Sequence, residues 1–231
     1  AAIAKLANSE AVQERAKEIR KELGKPKTVY LGVDRLDYTK GISHRLKAFG
    51  ELLADGTLSA KDAVFVQLAS PSRERVESYQ QLRDDIELQV GRINGDYGHL
   101  ERSAVVYLHQ NVSREEMIAL YLACDVMVVT PLRDGMNLVA KEFIAARTDG
   151  KGVLVLSEFT GAADELGDAL LVNPHDIDGM KATLVAASEM TASEQKKRMA
   201  ELRDTVIEYD VARWAKGFLA DLSPQAPKRR R

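Results

Sequence analysis

Two stretches of this chain concentrate side chains able to handle an anion and a polyol. The first is Asp34-Arg35-Leu36-Asp37-Tyr38-Thr39-Lys40-Gly41. It follows an apolar run, Thr28 to Val33, that reads as a buried strand, and it precedes a helical pattern from about Ser43 to Ala54. Arg35 and Lys40 therefore leave the carboxyl end of a strand, where open α/β sheets bind ligands. A planar guanidinium and a mobile ammonium together suit a diphosphate. The same two cations could instead pair with Asp34 and Asp37 as solvated loop ion pairs.

The second stretch runs from Val126 to Glu142. Its β-branched opening, Val126 to Val129, reads as a buried strand that Pro131 ends. Asp134-Gly135 forces a turn. From Leu138 the pattern is helical, with Leu138, Val139, Phe143 and Ile144 able to face a sheet and Asn137 placed as the cap. A helix start beside a polar turn suits an anion, because its first N–H groups are unpaired and its dipole is positive there. Asp134 and Glu142, eight residues apart, would not touch the anion itself. They suit hydroxyl groups, such as those of a sugar or a ribose. The plainer reading makes them a turn residue and a solvated helix residue.

Other candidates are weaker. Arg73 follows the strand pattern Ala63 to Ala69 and opens a long helix to about Ile93. A cation at a helix start is disfavoured by the dipole, so it is expected to meet an anion. His109, after the strand Val105 to Leu108, could act as a general base or simply make a hydrogen bond. Asp55-Gly56-Thr57 resembles part of an aspartyl-phosphatase motif, but Leu53 occupies the place of the nucleophilic carboxylate, so it reads as a loop. No His, Cys or carboxylate cluster has metal-ligand spacing, so neither a metal nor another cofactor is expected. The absence of G-x-G-x-x-G argues against a nicotinamide dehydrogenase.

The chain of 231 residues is 45% hydrophobic and 29% charged, which indicates a soluble, well-cored protein. A net charge of -2 gives no support for nucleic-acid or membrane binding. The single Cys124 reads as core and fits a reducing, cytoplasmic setting. No run is apolar and long enough to span a membrane. Residues 1–24 read as one helix stopped by Gly24, and Asn94 to Gly98 as a loop. Further helices are predicted over Arg114 to Ala123, about 177–189, 193–209 and 211–222, with strands over 151–157 and 169–172. About six strands alternating with helices predict a Rossmann-like α/β fold, a parallel sheet with helices on both faces. It forms one domain over residues 1–222, followed by a basic, disordered tail at 223–231.

Two motifs carry a resemblance. PLRDGMNLVAKE at 131–142 and GVDRLDYTKG at 32–41 each resemble signatures of the trehalose-6-phosphate synthases, retaining glycosyltransferases of family 20 with the two-Rossmann GT-B architecture. The likeness extends from about residue 11 to 222. It implies the C-terminal, donor-binding half of such an enzyme, which transfers glucose from a nucleotide sugar, usually UDP-glucose, to glucose 6-phosphate. Arg35 and Lys40 would hold the donor diphosphate. Asp134 and the turn Gly135-Met136-Asn137 would hold the glucosyl hydroxyls, the helix start Leu138-Val139-Ala140-Lys141 would face the donor, and Glu142 would hold the ribose. By the same resemblance, Arg35, Lys40 and Asp134 would form the catalytic set. The backbone of Val112 would meet the uracil, and Arg73 the acceptor phosphate. The family also implies an N-terminal acceptor domain that this chain lacks, so the chain alone is expected to be inactive, and a homo-oligomer is possible. In GT-B enzymes the last helix packs on the other domain, a role here for the stripe Val211, Trp214, Phe218 and Leu222. Two alternatives are a non-catalytic regulatory homologue and another GT-B glucosyltransferase. The first would lose the diphosphate cations, and the second would not carry DGMNLVAKE.

Overall fold

The computed structural model describes residues 2–222, so the basic tail expected at 223–231 lies outside the described residues. Six strands form one parallel sheet: β1 (Thr28–Arg35), β2 (Ala63–Ser70), β3 (Val105–Leu108), β4 (Val126–Val129), β5 (Val153–Ser157) and β6 (Leu170–Val172). Their spatial order is β3-β2-β1-β4-β5-β6. The order reverses between β1 and β4, and such a switch point opens a crevice outside the carboxyl ends of the two strands.

Nine helices are described: α1 (Ala2–Ala7), α2 (Glu10–Glu22), α3 (Ile42–Ala54), α4 (Glu77–Tyr97), α5 (Arg114–Ala123), α6 (Leu138–Ala146), α7 (Ile177–Glu189), α8 (Ala192–Glu208) and α9 (Val211–Leu222). Strands covered on both faces need apolar side chains on both. In β1, Val29, Leu31 and Val33 enter one core with residues of α2, α5, α6 and α8. Tyr30 enters the other, with residues of α3, α4 and α7.

Three sequence expectations are corrected. The first helix is broken at Asn8-Ser9, where the Ser9 hydroxyl donates to the Leu6 carbonyl at 2.7 Å and competes with the helical backbone. Residues 94–97 are helix rather than loop, because the Asn94 amide exchanges two hydrogen bonds with the Val105 backbone, at 2.8 and 2.9 Å, and ties that turn of α4 to β3. Helix α4 starts at Glu77, so Arg73 lies in the preceding turn with a positive φ of 48°, not at a helix start.

Helix α9 contributes no buried residue to the domain. Val211, Trp214, Phe218 and Leu222 are all exposed, and the Trp214 and Phe218 rings stack with centroids 5.2 Å apart.

Candidate functional site

Three loops converge at the switch point. The β1–α3 loop passes through a short 3-10 turn, Tyr38–Lys40, capped by Asp37, whose carboxylate accepts from the Thr39 N–H at 2.9 Å and from its hydroxyl at 2.8 Å. Gly41 then leaves the turn at φ 63° against the Thr130 carbonyl, where a Cβ would approach to 2.2 Å. The β4–α6 loop is held on one side by Leu132, whose N–H donates to the Thr39 carbonyl at 2.7 Å. On its other side the loop after β5 supports it. The Asp134 N–H donates to the Phe159 carbonyl at 3.1 Å, and the Gly161 N–H returns to the Asp134 carbonyl at 3.1 Å. Gly161 approaches so closely that a Cβ there would lie 2.1 Å from the Gly135 carbonyl oxygen.

This scaffold brings Lys40 to Asp134. The ammonium donates to the Asp134 carboxylate at 2.7 Å, and both side chains are mostly buried, 14% and 19% exposed. The Asn137 amide donates to the same carboxylate at 3.2 Å, while its carbonyl oxygen accepts from the Ala140 N–H and caps α6. Asn137 adopts φ 82°, a region Asn tolerates better than other side chains with a Cβ. Burial raises the Asp134 carboxyl, but the Lys40 hydrogen bond and charge, with Asn137 and the Met136 N–H, outweigh it and hold the group below its ordinary value.

Arg35 ends β1, opposite Ser70 of β2, and is exposed. Its guanidinium has no hydrogen-bond or ion-pair partner among the described residues. The alternative of loop ion pairs is therefore not what forms: Lys40 pairs with Asp134, and Asp34 pairs with Arg45 at 2.7 Å. Asp37 serves the turn instead. Burial raises its carboxyl, but bonds from Thr39 and Tyr79 and the charge of Arg35 bring it below the ordinary value.

Arg73 joins this group indirectly. Its Nη1 donates to the Tyr79 hydroxyl at 2.7 Å, and that hydroxyl donates to Asp37 at 3.1 Å. Around α6, Met136 and Leu138 are exposed, Val139 is half-buried and Ala140 is buried. Leu138 thus does not face the sheet; it points into a cavity of about 760 Å³ shared with Lys141, Trp214 and Phe218. Gly135 is exposed beside it. Lys141 pairs with Glu165. Glu142, in the second turn of α6, accepts from the Tyr121 hydroxyl of α5 at 3.3 Å. Val112 lies in the β3–α5 loop, half-buried against the core on the α5 face. Among the described residues it makes no hydrogen bond to the Lys40–Asp134 pair, and neither does Glu142.

His109 does not simply satisfy a hydrogen bond. Both ring nitrogens are buried without a hydrogen-bond partner among the described residues, Glu74 lies 3.6 Å away, and the ring stacks on Tyr107. Cys124 is core, and burial pushes its thiol up to about 12. Among the described residues no cluster could hold a metal ion, and no helix is long and apolar enough to cross a membrane.

Comparison with known proteins decides the family: the glycosyltransferase family 20 profile matches residues 1–224. The chain belongs to glycosyltransferase family 20. This family 20 chain is 60% identical over 217 residues to a trehalose-6-phosphate synthase of Mycobacterium avium, covering 94% of this chain and 44% of that protein. The Mycobacterium leprae synthase is 61% identical over 218 residues, with the same coverage. The chain thus spans less than half the length of the curated relatives it matches. Among solved structures, a UDP-forming α,α-trehalose-phosphate synthase from Burkholderia xenovorans, in complex with glucose-6-phosphate, superposes with a TM-score of 0.89 at 40% identity. The match covers 95% of this chain and 49% of that one. An E. coli trehalose-6-phosphate structure bound with UDP-2-fluoro glucose gives 0.89 at 40% identity, covering 98% and 50%.

Several contributors escaped the sequence reading. Tyr79, Tyr121 and the loop Phe159-Thr160-Gly161 carry no distinctive spacing relative to the motifs they support. Asp37 stood inside a motif, but its capping role depends on a 3-10 turn that the string Asp37-Tyr38-Thr39 only hints at.

Proposed function

We propose that this chain is the nucleotide-sugar-binding half of a trehalose-6-phosphate synthase, taking UDP-glucose as donor and serving transfer of glucose to glucose 6-phosphate with retention. The observation that carries this reading is the Lys40–Asp134 pair, set at the sheet's switch point beside the capped start of α6. It puts a cation for a diphosphate next to a carboxylate for sugar hydroxyls. Charge developing on the departing diphosphate would meet Lys40, the exposed Arg35 and the first N–H groups of α6. An oxocarbenium-like transition state needs that leaving-group stabilisation. In this reading Asp134 and the turn Gly135 to Asn137 hold the glucosyl hydroxyls, Glu142 the ribose, the Val112 backbone the uracil, and Arg73 the acceptor phosphate.

The described strands form one sheet, and the curated relatives are more than twice as long as the match. We therefore assign the acceptor pocket to a companion N-terminal half of the full-length protein, with the exposed stripe of α9 as part of the contact. A single buried thiol supports a cytoplasmic setting. The test is calorimetry with UDP-glucose, followed by an assay of UDP release with glucose 6-phosphate. The chain alone should bind UDP-glucose and release no UDP; a matched N-terminal half should restore release. Failure to bind any nucleoside-diphosphate sugar would overturn the reading.

A further inference from the structure

Arg45 is a cation that the proposed donor site does not use. It projects from the first turns of α3 and is fully buried, the largest such side chain described. Its Nη1 donates to the Asp34 carboxylate at 2.7 Å and to the Val128 carbonyl at 3.2 Å, and lies 3.5 Å from the Gln67 side-chain oxygen. Its Nη2 donates to the carbonyl of Lys40. The partners come from β1, β4, β2 and the turn that carries Lys40, so one guanidinium spans the switch point from below. Its Nε finds no partner among the described residues. Burial raises the Asp34 carboxyl, and the Arg45 charge works against that rise. A buried pair of this kind is poor evidence for stability, since apolar replacements are often neutral or stabilising. What the four contacts do provide is a fixed geometry across β2, β1 and β4, the strands at the middle of the sheet.

We propose that Arg45 is a positioning residue of the donor site, tying the Lys40 peptide to the β1–β4 junction so that its ammonium meets Asp134 and the donor's diphosphate. The inference rests on the reading of Lys40 and Asp134 given above. Among the described residues, the other hydrogen bonds of Lys40 run from its N–H to the Asp37 carbonyl at 3.1 Å and from its ammonium to Asp134. Loss of the bond to the Lys40 carbonyl removes the tie from α3 to the turn and leaves the bonds to Thr39 from Leu132 and with Asp37. Lysine at position 45 would keep a charge for Asp34 but could not reach β4 and the turn together.

The test uses Arg45→Lys and the charge-free pair Arg45→Met with Asp34→Asn. In the ligand-free chain, NMR titration of Asp134 should show its carboxyl rising toward the ordinary value in both variants, because the Lys40 ammonium is no longer held beside it. UDP affinity should fall tenfold or more while uridine affinity stays level. Lys40→Ala should then cost less in these backgrounds than in the parent. An unchanged Asp134 titration in folded variants would overturn the inference whether or not UDP binds. Variants that fail to fold in both forms would also overturn it, by giving Arg45 a purely structural role. Absence of UDP binding by the parent, with the Asp134 titration shifting as expected, would fault the donor-site reading and leave the positioning role standing.

Discussion

Replacing Lys40 by Met keeps the stem and removes the charge, and its consequences follow from the geometry. The ammonium lies 2.7 Å from the Asp134 carboxylate, and each side chain is under one-fifth exposed. At a charge separation of roughly 4 Å, such a pair attracts by about 1 kcal/mol in water and about 4 kcal/mol at the effective dielectric of a protein surface. A hydrogen bond to a charged group contributes about 1.5–3 kcal/mol net. If Lys40 passes from Asp134 to the diphosphate on binding, Lys40→Met should weaken UDP by about 1.5–3 kcal/mol, roughly tenfold to 150-fold. Asp134→Asn tests the other partner with the opposite sign. It removes the charge that competes for Lys40, so UDP should bind tighter by up to about 1.4 kcal/mol, roughly tenfold. UDP-glucose should gain less, because the amide is a poorer acceptor for sugar hydroxyls. Calorimetry with UDP, UDP-glucose and uridine on all three proteins separates these effects. Lys40→Met with UDP affinity within twofold of the parent, or Asp134→Asn with weakened UDP binding, would refute the exchange of partners.

Other outcomes follow from the same geometry. Arg35→Ala should weaken UDP by about 1.5–3 kcal/mol while melting stays within about 0.5 kcal/mol of the parent, since Arg35 is exposed and unpaired among the described residues; loss of both together would make it structural. Glu142→Gln should lower affinity for UDP more than for its 2′,3′-dideoxy analogue, and Tyr121→Phe should show a weaker form of the same pattern; equal losses for both ligands would remove Glu142 from the ribose. Gly161→Ala forces a methyl against the Gly135 carbonyl and should destabilise by about 1–3 kcal/mol, with donor affinity falling too; a parental melting curve would show that the loops can separate freely. Burial, His175, Lys47 and Arg45 together depress the His44 imidazole below its ordinary value. The unfolded chain then binds more protons, so the stability tied to neutral His44 is present above about pH 6.5 and lost as pH falls through the lowered value. His44→Gln should flatten that part of a melting-versus-pH curve.

The layout of strands and helices was legible because strands buried on both faces read as unbroken apolar runs, as in Val126 to Val129 and Val153 to Leu156. Boundaries failed where tertiary bonds override local pattern, as when Asn94 binds the Val105 backbone and extends α4. The polar residues of the two motifs were legible from their position after strands. Their pairing was not, because Lys40 and Asp134 stand 94 residues apart and only the β1–β4 adjacency joins them. Asp34 and Asp37 offered nearer partners, and burial decided against them. Asp34 turns inward to Arg45, and Asp37 is occupied by its own turn and by Tyr79.

The pairing also bears on how the site would tell a nucleotide sugar from a nucleotide. A cation waiting unpaired for a diphosphate would bind UDP as readily as UDP-glucose, and product would compete with substrate. With Asp134 holding Lys40, any diphosphate must draw the ammonium away from a carboxylate whose lowered pKa records how well it is satisfied. UDP alone leaves that carboxylate short of a partner, whereas a glucosyl group brings hydroxyls that can donate to it. The difference favours the complete donor by the amount of a hydrogen bond to a charged group, about 1.5–3 kcal/mol. Arg35 imposes no such condition, because among the described residues it has no hydrogen bond or ion pair to give up. Selectivity for the sugar should therefore collapse in Asp134→Asn, which tightens UDP, and survive in Arg35→Ala, which weakens both ligands.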